Sequence, residues 1–119
     1  MTSRVDLRTR FPVDDAELSD LHARAFAHPA TPHRVEVQPW RSRLDRHSVS
    51  WVGAFHGGDL VGFVHACWDG GRHAFLLDPV VDPAQRRRGV GSLLVGRLVH
   101  EVEQAGCEWL HVDFEPHLT

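Results

Sequence analysis

Residues 84–92 read AQRRRGVGS, three consecutive arginines running into Gly-Val-Gly between the apolar stretches FLLDPVV and LLVGRLV. Side chains and backbone there both suit an anion. Guanidinium groups bind phosphate through charge-assisted hydrogen bonds, and glycines let a ligand approach the main chain with no Cβ in the way. If the second apolar stretch is a helix, the loop also presents the unpaired N–H groups and the positive dipole end of its first turn. A dinucleotide fingerprint would need a third glycine where Leu94 stands and an acidic ribose-binding residue in a matching βαβ setting, and the chain has neither. Two readings stay open: a specific pyrophosphate cradle, and a solvated basic turn capped by glycines.

Composition narrows the chemistry further. All thirteen cationic side chains are arginine, so lysine is absent, and so is tyrosine. A Walker-type phosphate lysine and a lysine Schiff base are therefore excluded for this chain. The net charge of −3 argues against a surface built wholly for nucleic acid. Cys67 and Cys107 are two thiols without metal-ligand spacing, read as core cysteines, and no metal site is expected. No apolar run approaches the ~20 residues that span a bilayer, so no membrane association is expected. The amino terminus, MTSRVDLRTRF, lacks the apolar stretch of a signal peptide, which makes the cytoplasm the default location. A chain of 119 residues holds one domain, expected over 1–119, that buries roughly two-thirds of the surface its unfolded form exposes.

The elements that must position the turn follow from periodicity. Val5–Arg8 alternates as a short strand ended by Phe11-Pro12. Asp14 with Glu17 has the spacing of a capping box, and Leu18, Leu21, Ala25 and Phe26 share one helical face, with a stop near His28-Pro29. Residues 30–37 read as loop, and Pro39, Trp40 and Leu44 suggest a short helix carrying Arg41, Arg43 and Arg46 on its other face. Ser50–Phe55 and Leu60–Trp68 form a hairpin through His56-Gly57-Gly58-Asp59, and a second hairpin turns at Asp69-Gly70-Gly71 into the strand His73–Val81. Pro79 cannot donate to a ladder, so it marks a bulge or a loss of pairing. After the arginine turn, Val90, Leu94, Leu98 and Val102 recur every four residues, flanked by Leu93, Val95 and Val99, which predicts a buried amphipathic helix capped by Gly106. Trp109–Phe114 closes the series as a strand parallel to the one ending at Val81, because a helix connects the two.

A strand, a helix, a short helix, three antiparallel strands, a glycine turn, a long helix and a parallel strand form an order that resembles the GNAT superfamily of N-acetyltransferases from Val5 to Phe114. That family's motif, Gln/Arg-x-x-Gly-x-Gly/Ala between the fourth strand and the third helix, is matched by Arg86-Arg87-Arg88-Gly89-Val90-Gly91, with Val81-Asp82-Pro83 before it. The resemblance implies an α/β (α+β) fold. Its mixed central sheet carries helices on both faces, with an antiparallel amino-terminal part and a parallel strand pair around the cofactor cleft. It further implies that the backbone amides of Arg86, Arg87, Arg88, Gly89, Val90, Gly91 and Ser92 cradle the pyrophosphate of acetyl-CoA. Val80 and Val81 match the positions where the family's pantetheine arm enters beside a bulged strand.

Transfer in this family is direct: the acceptor's amine nitrogen attacks the thioester carbonyl while the protein orients the pair and removes a proton. Asp78, at the expected bulge, and His111 and Asp113, on one face of the last strand, are the candidate catalytic groups, with His65 ranked behind them. The acceptor would be an amine of a small molecule or of a peptide. Relative to the family, the sequence stops before the usual fourth helix and closing hairpin, so a carboxy-terminally incomplete domain is expected. Its last strand would then be left with an open edge through which the chain dimerises or aggregates. The alternative to an enzyme is a non-catalytic acyl-CoA-binding module or a fragment completed by a partner.

Overall fold

The computed structural model describes residues 4–26 and 35–112. In chain order these form β1 (Asp6–Thr9), α1 (Asp15–Ala25), α2 (Trp40–His47), β2 (Ser48–His56), β3 (Asp59–Trp68), β4 (His73–Val81), a 3-10 turn (Pro83–Gln85), α3 (Val90–Gln104) and β5 (Trp109–Val112). The sheet runs β1-β2-β3-β4-β5. Its first three junctions are antiparallel, and β4 with β5 is parallel.

Period-two alternation in β2 and β3 sends apolar side chains to both faces, and each face has its own cover. Val52, Ala54, Val64, Ala66 and Leu76 pack under Val90, Leu94, Leu98 and Val102 of α3. On the opposite face Trp51, Phe55 and Phe63 pack under Leu18 and Leu21 of α1 and under Trp40 and Leu44 of α2. Both faces of the central strands are therefore dry, which explains why β2 and β3 read as almost continuous apolar runs.

The helix ends follow local chemistry. Asp14 caps α1, its Oδ1 accepting from the Glu17 amide at 3.0 Å, and Asp15 and Glu17 place negative charge in the first turn. The helix ends at Ala25, so Phe26 lies past its last turn and is 71% exposed instead of sharing the buried face. The expected stop at His28-Pro29 and most of the expected loop lie outside the described residues. At the far end of α3, Gly106 takes φ +91°. Its amide bonds to Glu103 and the Cys107 amide to Val102 at 3.0 Å each, so the last carbonyls are satisfied by a Schellman turn. Leu93 and Val95, expected to widen the apolar face of α3, are exposed instead, because a sheet contacts only the Val90-Leu94-Leu98-Val102 stripe.

The bulge inferred from Pro79 exists, and Asp78 carries it. Phe63 pairs with Val80 but His65 with Leu77, so two steps on β3 face three on β4, and Asp78 turns to φ +53°. Among the described residues β5 pairs only with the first part of β4, from His73 opposite Trp109 to Leu76 opposite Val112. The expected continuation of β5 through Phe114 lies outside the described residues.

Candidate functional site

Beyond Leu76, the second half of β4 runs from the bulge into the arginine turn, and this segment has two sides. On the first side is the turn itself. Asp82 opens it by accepting the Ala84 amide at 2.9 Å, while its other oxygen holds the Arg24 Nε at 3.0 Å. Arg87 and Gly89 both adopt left-handed backbone, φ +65° and +78°, and Gly89 is the N-cap of α3 with no side chain capping the helix. The amides of Val90, Gly91 and Ser92 have no carbonyl to bond within the helix, so they point as a group out of its positive end.

Gly91 shows what this end is shaped for. Its φ is not positive, and a Cβ built on it would meet only the Val81 Cγ2, at 3.9 Å, an ordinary contact. Nothing in the chain's own packing requires glycine there, and helical glycine costs up to about 1 kcal/mol relative to alanine. The position leaves room for a ligand to approach the main chain. Next to it lies a cavity of about 220 Å³ between Val64, Pro79, Val80 and Val81 on the strand side and Gly91, Leu94 and Val95 on the helix side. Val80 is buried against the α1 and α2 face, and Val81 is half-buried toward α3. Because the Asp82 amide bonds back to Val61 of β3 at 2.8 Å, alternation turns the Val81 N–H and C=O away from β3. A pyrophosphate with an extended amide-bearing arm fits these donors and this space. A hollow of about 260 Å³ elsewhere is lined by Arg10, Phe11, Arg41, Asp45 and Trp51 among others, and includes none of these groups.

Within the arginine run, the three side chains are not equivalent. The Arg86 guanidinium donates to the Ala25 carbonyl at 2.7 Å, and its amide is engaged with Pro83. That arginine closes the carboxyl end of α1 and fastens the turn to the fold. Arg87 and Arg88 are exposed on the turn.

On the second side lies the face covered by α1 and α2. His65, 1% exposed, accepts or donates at both ring nitrogens: Nδ1 lies 2.8 Å from the Ser48 Oγ, and Nε2 2.6 Å from the Asp78 Oδ2. The His65 hydrogen bond holds the Asp78 carboxyl below the usual carboxylate range, against the opposing effect of partial burial. His22 of α1 stacks on Trp40 with centroids 4.7 Å apart, and its buried Nε2 has no partner among the described residues. Burial pushes the His22 pKa down, with the Asp78 charge opposing, so the ring is neutral at pH 7.

The sequence-predicted catalytic groups are thus separated. Asp78 sits at the bulge. His111 pairs with Phe75, three residues earlier on β4 or about 10 Å along the strand, and its Nε2 lies 2.7 Å from the His73 Nδ1. Asp113 lies outside the described residues. His65, placed by the sequence behind these candidates, is the one that meets Asp78, and with it stand Ser48 and His22, for which the sequence gives no reason. The one signal in the sequence was a lone histidine inside the apolar run FVHACW, on the same strand face as Phe63.

Residues 16–117 match the family model described as Acetyltransferase (GNAT) family. No curated protein sequence gives a significant match. Among solved structures, a GNAT family N-acetyltransferase from Escherichia coli in complex with CoA superposes with a TM-score of 0.77 at 20% identity, covering 99% of this chain and 67% of that one. An aminoglycoside N-acetyltransferase in complex with CoA gives 0.72 at 21% identity over 98% and 81%. A GNAT family acetyltransferase from Streptococcus pneumoniae gives 0.71 at 19% over 94% and 76%. At these identities the structures share the fold.

Proposed function

The chain belongs to the GNAT family of acetyltransferases, and from that premise we propose that it transfers the acetyl group of acetyl-CoA to the amine of a small molecule or peptide by direct attack. The observation that carries this reading is the succession of groups along the end of β4. Unpaired amides at Val90–Ser92, the space beside Gly91, the outward backbone of Val81 and the carboxylate of Asp78 follow one another along the end of β4. In this reading the amides from Arg87 to Ser92, with the exposed Arg87 and Arg88 beside them, hold the pyrophosphate. Arg86 serves by fixing the turn. Val80 and Val81 flank the arm, and the thioester comes to rest at the bulge.

The acceptor arrives as an ammonium ion and must lose one proton before its nitrogen can attack. The new C–N bond forms as the C–S bond breaks, and the leaving thiolate takes up the second proton given up by the nitrogen. The products are an amide, the free thiol and one released proton. The negative Asp78 draws the ammonium to the face where Phe75 and Leu77 are also exposed. Solved relatives bound to CoA, one of them to a bisubstrate analogue of CoA and acetylneamine, support a small-molecule amine as the acceptor class.

The test is free-thiol release from acetyl-CoA in the presence of a panel of amines, alongside calorimetry with CoA. Amine-dependent release supports transfer. CoA binding with no release for any amine would favour a binding module, and no CoA binding would overturn both.

A further inference from the structure

We infer that His65 and Ser48 are positioning residues that hold Asp78 at the bulge as the anchor for the acceptor's ammonium group. The inference deepens the transfer reading and rests on it for the identity of what Asp78 meets.

Three features of the chain converge on this carboxylate. The first is the backbone: Asp78 stands at φ +53°, a left-handed conformation that is strained for a non-glycine residue unless its surroundings impose it. The second is burial. The His65 side chain is 2% exposed while that of Asp78 is 41% exposed, so a dry imidazole delivers its hydrogen bond to a wet carboxylate. Its ring lies among Trp40, at 6.2 Å between centroids, and Phe63, at 5.8 Å, where an apolar side chain would avoid the desolvation cost of a polar one. The third is the tautomer. The Ser48 hydroxyl, at 2.8 Å, and the Cys67 thiol, at 3.9 Å, both face Nδ1. Burial pushes the Cys67 thiol up, so it keeps its hydrogen. With donors on that side Nδ1 accepts, and Nε2 carries the hydrogen given to Asp78.

The chain of bonds therefore crosses the core from β2 through β3 to β4 and ends on a carboxylate beside the cleft. Among the described residues, the charged and titratable groups that act on Asp78 are His65 and Cys67 from β3, His22 from α1 and Arg43 from α2. None of them is a second carboxylate, so a single ammonium matches the site. Asp78, kept ionised by its partner, binds that cation and gains little as a proton acceptor. The bulge accounts for the contact: with the extra residue on β4, the Asp78 side chain comes to the face of His65 while Val80 returns to the core.

The experiment reads the anchor and the reaction separately. Asp78 is followed by its carboxyl carbon signal through a pH titration, with and without benzylamine, spermidine or tobramycin, and the same three amines are tested for thiol release. In the native chain the amines should perturb the Asp78 signal. His65→Leu should move the Asp78 titration upward and raise the amine KM about tenfold with CoA affinity unchanged. His65→Gln, which keeps an N–H donor, should recover most of the amine affinity, and Ser48→Ala should show a smaller version of both effects. A folded His65→Leu chain with native Asp78 titration and native amine KM would overturn the inference, as would an Asp78 signal blind to all three amines. If the amines perturb Asp78 but none is acetylated, the anchor stands and the transfer reading fails. Should His65→Leu not fold, Ser48→Ala decides on the same readouts: upward titration and weaker amine binding support the assignment, and unchanged values overturn it.

Discussion

The arginine turn and the Asp78 face lie on either side of the last residues of β4, yet they are assembled from different kinds of material. The turn is contiguous in sequence, residues 82–92, and what it offers a ligand is main chain: unpaired amides and a missing Cβ. The Asp78 face offers side chains, and they come from α1, α2, β2, β3 and β4. A backbone site tolerates changes of side chain but not of shape. A side-chain site depends on every element that aligns it. The same division suits the two substrates of the proposed transfer, because every molecule of acetyl-CoA presents the same pyrophosphate, whereas acceptors differ in the groups around the amine.

The largest expected effect breaks the turn alone. Gly91→Asp should lower CoA affinity at least about a hundredfold, since a carboxylate there meets the pyrophosphate with both bulk and like charge. Because the new Cβ has room beside Val81, the fold and the Asp78 titration should stay native. Calorimetry with CoA checks the first, and carbon-detected titration the second. Native CoA affinity in the folded variant would remove the cradle assignment.

A smaller effect is expected from the thiols. The proposed direct attack leaves no role for a cysteine nucleophile, and burial pushes both thiols up, away from the reactive thiolate form. Replacing Cys67 and Cys107 together with alanine should cost about 1–3 kcal/mol of stability, read by denaturant melts, and leave turnover per folded molecule unchanged. Recovery of a labelled acetyl group covalently on either cysteine during turnover would show a two-step mechanism instead.

The smallest expected effect sharpens the comparison on the acceptor side. Burial lowers the pKa of His22 in the folded chain, so the unfolded chain takes up a proton first as the solution is acidified. Its contribution to stability is complete above about pH 6.5 and is lost as the pH falls from there through the folded value. Asp78, also depressed, keeps its contribution until the pH drops below about 4. Between pH 7 and 5 the melting temperature should therefore fall less in His22→Phe than in the native chain, by about 2 °C given solvent screening of a half-buried ring. Parallel melting curves for the two across that interval would mean that His22 is not held neutral by the fold.

Much of the fold was legible because its causes are local. Two glycines between β-rich runs made the β2-β3 hairpin readable, a four-residue apolar repeat gave α3, and a proline inside an apolar run gave the bulge. The arginine turn was readable for the same reason, as all its donors come from consecutive residues. The errors are the places where neighbours in space decide. The Arg86 guanidinium reaches the end of α1, a contact that nothing in its local sequence announces. Leu93 and Val95 carry apolar side chains at helical spacing, and the sheet leaves them outside the stripe it contacts.

What the sequence alone determined is therefore the order of elements and the glycine-bearing arginine turn, both set by backbone conformations that a few adjacent residues dictate. Only the tertiary structure decided which polar groups meet around Asp78. His65 and Asp78 are thirteen residues apart, and Ser48 seventeen residues from His65, and no spacing rule joins them. They meet because the strand register sets Ser48 opposite Cys67 and the bulge returns the Asp78 side chain to His65, and register is fixed by packing on both faces of the sheet at once.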